Sequence, residues 1–200
     1  MTINTFSTIL SIGTIILLSF SLLVTFENKF TFMKDFINFK IKVINKFLSI
    51  FNFKNKSKNI SHDTFYILAI AVVTGLSIVG AEIYERIYMT PPCVLCWWGR
   101  IALFPIFPIA LVALNYKVTN INKIIMLLAF FGLVIATYHY YYHFNIYVLD
   151  NALSMPCDAN PLLPSCSNNN GILVWSFITM PLMGFMNFLS IMLLANKIRE

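Results

Sequence analysis

The chain has 200 residues, 58% hydrophobic and only 11% charged, with a mean hydropathy of +0.77 and a formal net charge of +6. Soluble domains carry about 25% charged residues, so an ordinary soluble globule is excluded and an integral membrane protein is expected. The positive balance does not point to nucleic acid: eight of the fourteen Lys and Arg residues fall between Glu27 and His62, where a basic block beside apolar spans faces anionic lipid.

A helix needs about 20 mostly apolar residues to cross the hydrocarbon core. The first candidate covers residues 3–26. Its leading MTINTFST has no Lys or Arg and no small-x-small site follows, so it reads as a retained helix rather than a cleaved signal peptide. Residues 27–59 mix Phe and Ile with Lys at near-helical spacing. They are expected to lie on the inner leaflet as an amphipathic helix, a disordered basic linker being the alternative. The second span is 64–88, apolar to Ala81 and polar at its end, where Glu82 is placed to pair with Arg86 at i,i+4. The third covers 96–116, the fourth 124–142 and the fifth 171–196, the last without a charge.

Orientation follows from Lys and Arg, which favour the cytoplasmic side. The loop at 27–62 sets eight Lys against Glu27 and Asp35. Lys117 and Lys123 mark a second cytoplasmic loop, and Lys197 and Arg199 a cytoplasmic tail. The long 143–171 loop has no Lys or Arg, only Asp150 and Asp158. One topology satisfies every loop: N-terminus outside, C-terminus inside. It places all four cysteines, in two close pairs (Cys93 with Cys96, Cys157 with Cys166), on the extracytoplasmic face, where disulfides persist.

Cys93 and Cys96 form a C-x-x-C, and Pro91 and Pro92 break the preceding helix, so the pair belongs to the first turn of the third span. A helix N-terminus stabilises a thiolate. Zinc ribbons and structural bridges share the motif. Arg100, four residues after Cys96, falls on the same helical face. An Arg one turn inside a span needs a partner; here it is a candidate to stabilise a Cys96 thiolate and to hold the carbonyl oxygen of an electron acceptor, the alternative being a side chain that snorkels to headgroups. Trp97, Trp98 and Trp175 fit either ring stacking or interfacial anchoring.

Cys157 and Cys166 sit in a loop with Pro156, Pro161 and Pro164. Exposed or strained bridges in such loops are the reactive ones, and two pairs on one face can exchange by thiolate attack. His139 and His143 lie one turn apart near the outer end of the fourth span. Four Cys and two His raise the question of zinc, but a reactive loop and a membrane helix supply tetrahedral closure poorly, so no metal is expected. His139 is instead a candidate hydrogen-bond donor or proton relay beside an acceptor, or an interfacial His. No P-loop or Rossmann glycine pattern is present. Electrons delivered to the C-x-x-C therefore need a lipid-soluble sink, most simply a quinone, in a pocket expected near Trp97, Phe104 and Phe107.

These residues resemble the DsbB/BdbC family of bacterial membrane disulfide-forming proteins. PCVLCWWGRIALF has the family's P-C-x-L-C-x-x-x-R pattern at Cys93, Cys96 and Arg100; ATYHYYY resembles its His segment at His139; FITMPLMGFMNF resembles its last helix, with a Met180-Pro181 step. Gly99 stands where many members have Glu or Gln. The resemblance covers about 64–196 and implies an all-α, four-helix transmembrane bundle at 64–200, with residues 1–63 as an additional N-terminal span and Lys-rich segment. It implies a bacterial inner-membrane, multi-pass enzyme that oxidises a DsbA-like thioredoxin-fold partner and reduces ubiquinone or menaquinone. In that relay the partner attacks Cys157, Cys166 attacks Cys93, and Cys96 is released beside a quinone held by Arg100, with Trp97 and His139 near it. The rival expectation is a non-enzymatic assembly or transport subunit with two structural disulfides.

Overall fold

The computed structural model describes residues 2–25, 62–116, 120–151, 164–166, 174–175 and 177–198. Cys157, the Lys-rich segment at 27–59 and the basic tail residue Arg199 lie outside them. Among the described residues the regular elements are helices, numbered here α1 (Ile3–Thr25), α2 (His62–Arg86), α3 (Val94–Leu103), α4 (Ile106–Asn115), α5 (Ile121–Tyr147) and α6 (Met180–Ala195). The protein is an all-α membrane bundle. Among the described residues, four stretches are long and apolar enough to cross a bilayer: Ile3–Leu23, Asp63–Arg86, Val94–Asn115 and Ile121–Tyr147.

Two elements differ from the sequence expectation. The third span is broken. Pro105 has no N–H to continue the ladder, and its ring crowds the preceding turn, so α3 stops at Leu103 and α4 restarts at Ile106. The fifth span is shorter than the uncharged stretch 171–196. Its helix begins only at Met180, with Thr179 as the N-cap and Pro181 in the first turn, and its 16 residues rise about 24 Å. Before it the chain turns back through an isolated bridge between Val174 and Ile178, with Trp175 at φ 50. Apolar composition alone does not separate this turn from helix.

The helices are held by one stripe on α5. Ile121, Ile125, Ala129, Gly132, Ala136, His139 and His143 are all buried, at steps of three and four residues that keep them on one face. The small residues in the middle let α6 approach closely, as small residues do between membrane helices. A Cβ on Gly132 would overlap the Phe188 ring. The core around this stripe includes Ile70, Ile106, Ile125 and Ile191, each with no exposed surface.

Helix α1 runs antiparallel to α2. Phe6 meets the Tyr84 ring edge-on at 5.1 Å near one end, and Phe20 meets Phe65 at 6.5 Å near the other. Tyr84 donates its hydroxyl to Ser7 Oγ at 2.9 Å. Ser7, Ser11, Thr14 and Ser21 are buried in this helix, and their hydroxyls donate to carbonyls one turn back, so each polar group is satisfied inside the helix. One end of the bundle thus gathers the start of α1, the end of α2, the start of α3, the end of α5 and the start of α6. Cys93, Cys96 and Cys166 are at that end.

Candidate functional site

Cys93 caps α3 from outside its first turn, with φ −71 and ψ 173. In that position its sulfur receives what a capping oxygen normally receives: the Cys96 backbone N–H points at Cys93 Sγ, 3.4 Å away. The two sulfurs lie 3.1 Å apart, both as free thiols. The Cys96 S–H, foremost, then the backbone N–H groups of the first turn lower the Cys93 thiol from its ordinary 9.0 to about 7, against the opposing effect of burial. In the reduced pair the capping position, and the donors that favour a thiolate, fall on Cys93.

Cys166 reaches the same place from the loop after α5. It is disulfide-bonded, 1% exposed, and forms one buried cluster with Cys93, against which Val94, Leu95, Cys96 and Tyr142 pack. Two histidines fix it there. His139 Nε2 lies 3.0 Å and His143 Nε2 2.7 Å from the Cys166 carbonyl oxygen. A carbonyl only accepts, so both histidines carry their proton on Nε2 toward it. The rings meet edge-on at 4.7 Å, and both residues are at most 5% exposed. His143 was paired with His139 in the sequence but given no role; its place on the α5 stripe, one step beyond His139, was the available signal.

Arg100 has its partner on the neighbouring helix. The guanidinium pairs with Glu85 through Nη1, lies 4.0 Å from Glu82 and donates through Nη2 to the Ala81 carbonyl at 3.3 Å. Glu82 also binds Arg86 at 2.8 Å, as its spacing predicts. Glu85 is the residue the sequence reading missed. An Arg inside a span opposite a helix end carrying two carboxylates was the signal, but choosing between Glu82 and Glu85 requires knowing how α2 is rotated.

The site opens onto a cavity of about 520 Å³ whose walls include Cys93, Cys96, Gly99, Arg100 and His139, within the ~300–1,000 Å³ typical of small-molecule sites. Trp97, Phe104 and Phe107 are not in its wall. Trp97 is half-exposed and lies under Arg100, whose Cζ is 5.3 Å from the ring centroid; Trp98 is also half-exposed, edge-on to Phe131 at 6.4 Å; Phe107 fills the space above Gly75. Trp175 is exposed, in the turn before α6.

Chemically the arrangement offers an activatable thiol, a second thiol on a cavity wall, a disulfide-bonded cysteine against the first, and a fixed cation. One donor atom each from Cys93, Cys96 and His139 lies within 4.8 Å of the others. Those three could hold a soft metal ion in the reduced state, one donor short of a closed tetrahedral site.

Comparison with known proteins matches residues 63–197 to a family model described as disulfide bond formation protein DsbB. The chain is 32% identical over 123 residues to the SPbeta prophage-derived disulfide bond formation protein B of Bacillus subtilis (strain 168), a match covering 62% of this chain and 78% of that protein. It is 28% identical over 139 residues to the probable disulfide formation protein C 2 of Bacillus anthracis, covering 68% and 93%. It is 24% identical over 129 residues to disulfide bond formation protein C of B. subtilis (strain 168), covering 64% and 88%. No solved structure matches the chain.

Proposed function

Because the chain belongs to the DsbB family of disulfide bond formation proteins, we propose that it oxidises a DsbA-like thioredoxin-fold partner outside the cytoplasm of a bacterium and passes the electrons to a membrane quinone. The observation that carries this reading is convergence: Cys166 clusters with Cys93 while Cys96 and Arg100 line one cavity.

A partner thiolate attacks the Cys157–Cys166 disulfide, forming a mixed disulfide at Cys157 and releasing Cys166. Cys166 attacks an oxidised Cys93–Cys96 bridge at Cys93, freeing Cys96. The partner's second thiol then closes its own disulfide and expels Cys157, which recaptures Cys166 from Cys93. Two electrons and two protons now rest on Cys93 and Cys96. His139 and His143, donating to the Cys166 carbonyl, hold the attacking residue against its target.

A quinone, when bound, supplies the sink for two electrons and two protons and leaves as quinol. The apolar cavity with a cation on its wall suits such a group. Arg100, held by Glu85 and the Ala81 carbonyl, presents its charge to an acceptor oxygen, and Cys96 is the less buried of the two thiols in the cavity wall. Residues 64–200 form the catalytic domain in this reading and 1–63 an addition to it.

The test is purified protein with a reduced thioredoxin-like substrate and a soluble quinone analogue, following quinol absorbance. Turnover that disappears in Cys96→Ser is expected. Turnover equal to the Cys96→Ser control would reject the enzyme reading.

A further inference from the structure

Helix α1 lies outside the matched family segment, 63–197, yet it walls the cavity that opens beside Cys96. Phe6, Leu10, Gly13 and Leu17 of α1 line it, facing Leu76 and Gly80 of α2 and Phe188 of α6. From residue 6 to residue 17 the helix rises about 16 Å, so the cavity continues for roughly three turns past the thiols. The far part is mostly apolar: Thr14 of α1 donates to the Ser11 carbonyl and Ser77 of α2 to the Val73 carbonyl, each inside its own helix, and Asn187 of α6 adds a side-chain amide to the wall. An acceptor ring against Cys96 and Arg100 needs only the near end.

The helix is docked as part of the bundle. Tyr84 donates to Ser7 at 2.9 Å, Phe6 packs on Tyr84 and Tyr88, and Ser11 lies 3.9 Å from Met183 Sδ. The space along α1 is kept open by absent side chains. A Cβ on Gly13 or on Gly99, both in the wall, would meet nothing within 4 Å, and one on Gly184 only Ala136 at 3.9 Å. A long, mostly apolar slot, charged at one end, matches a flat redox ring with a hydrocarbon chain.

We propose that α1 is the chain-binding wall of the acceptor site, holding the isoprenoid chain of a tailed quinone along residues 6–17 and so setting which acceptors are used. This rests on the quinone reading above. The same slot chemistry would accept a lipid acyl chain, and the experiment separates the two.

The probe is a naphthoquinone with a four-isoprene chain ending in a diazirine, photolysed with the full-length protein in phosphatidylglycerol nanodiscs and mapped by peptide mass spectrometry. Label is expected within residues 6–17 and is displaced by excess unlabelled tailed quinone. Label confined to other helices, or label on α1 that the unlabelled quinone does not displace, overturns the proposal, the second result marking lipid-like contact. In turnover, Gly13→Leu fills the slot and raises the KM of the tailed quinone about fivefold or more, as overpacking does, while the KM of the same ring without a chain stays within about twofold. Gly13→Ala gives an intermediate value, and Ile16→Ala on the exposed side of α1 changes neither. Equal effects on both quinones also overturn the proposal, since α1 would then act only through folding. Displaceable label on α1 without turnover of either quinone sustains the binding wall and rejects the oxidoreductase reading; turnover with label elsewhere does the reverse.

Discussion

Cys93 draws its reactivity from standing one residue ahead of α3. The Cys96 S–H is the largest cause of its lowered pKa, about 7 instead of 9.0, and the thiolate is the reactive form. As pH falls through about 7 the thiolate is protonated and the reaction slows; above about 8 it levels off. In the reduced protein, the rate of iodoacetamide alkylation at Cys93 should follow that curve, with a midpoint near 7. A midpoint at or above the ~8.5 of an ordinary thiol would remove the assignment. Cys96→Ala should raise the midpoint, because it deletes the main donor. At Arg100 the expectation is a split between substrates. Arg100→Ala loses a charge-assisted hydrogen bond worth about 1.5–3 kcal/mol, so the KM for quinone should rise tenfold or more by order of magnitude while that for the protein substrate changes little. Glu85→Gln should act in the same direction and less. The reverse split would make Arg100 a headgroup anchor. The C-x-x-C, the Arg one turn on and the loop pair were all legible in the sequence, because their spacing is local. The choice of Glu85 was not, because it depends on how one helix is rotated against another; nor was Cys93 as the capping sulfur, because that depends on the residue at which α3 begins.

At the scale of the elements, glycine and proline decide what apolar composition leaves open. Pro105 divides the third span and Pro181 fixes the start of α6; both prolines were visible, but a window of uncharged residues averages over them. The α5–α6 contact turns on Gly132. Phe188 is 4% exposed and lies where a Gly132 Cβ would be, so its ring has no room to swing away cheaply. Gly132→Ala should lower stability by about 1–3 kcal/mol, the usual cost of overpacking, read as an earlier loss of folded protein in a thermal aggregation series. Adding Phe188→Leu should recover part of it. An unchanged transition in the single variant would mean that the two helices are not in close contact there. The α5 stripe shows the opposite case of legibility: His139 and His143 continue the steps of Ile121, Ile125 and Ala129, so an inward position for both is written in the spacing.

For the whole molecule the charge map makes the remaining prediction. With Lys-rich 27–62 inside, a reporter enzyme that works only outside the cytoplasm should be inactive when fused after residue 200 and active when inserted in the 143–171 loop. The opposite pattern would put both cysteine pairs in the cytosol and end the proposed relay. The antiparallel pairing of α1 with α2 agrees with a connection at the end of the bundle away from the cysteines. What the sequence by itself determined was everything that a segment decides against its solvent: an all-helical membrane chain, the approximate spans, the bias of Lys and Arg, a thiol pair at a helix start. Lipid and water differ so strongly in what they accept that composition and the 3.6-residue period suffice. Only the tertiary structure decided that the cavity lies toward α1 and not toward Trp97, that Glu85 holds Arg100, and that two histidines clasp the Cys166 carbonyl. Those are contacts between segments 15 or more residues apart, and they follow from helix rotation and closest approach, which are set by packing.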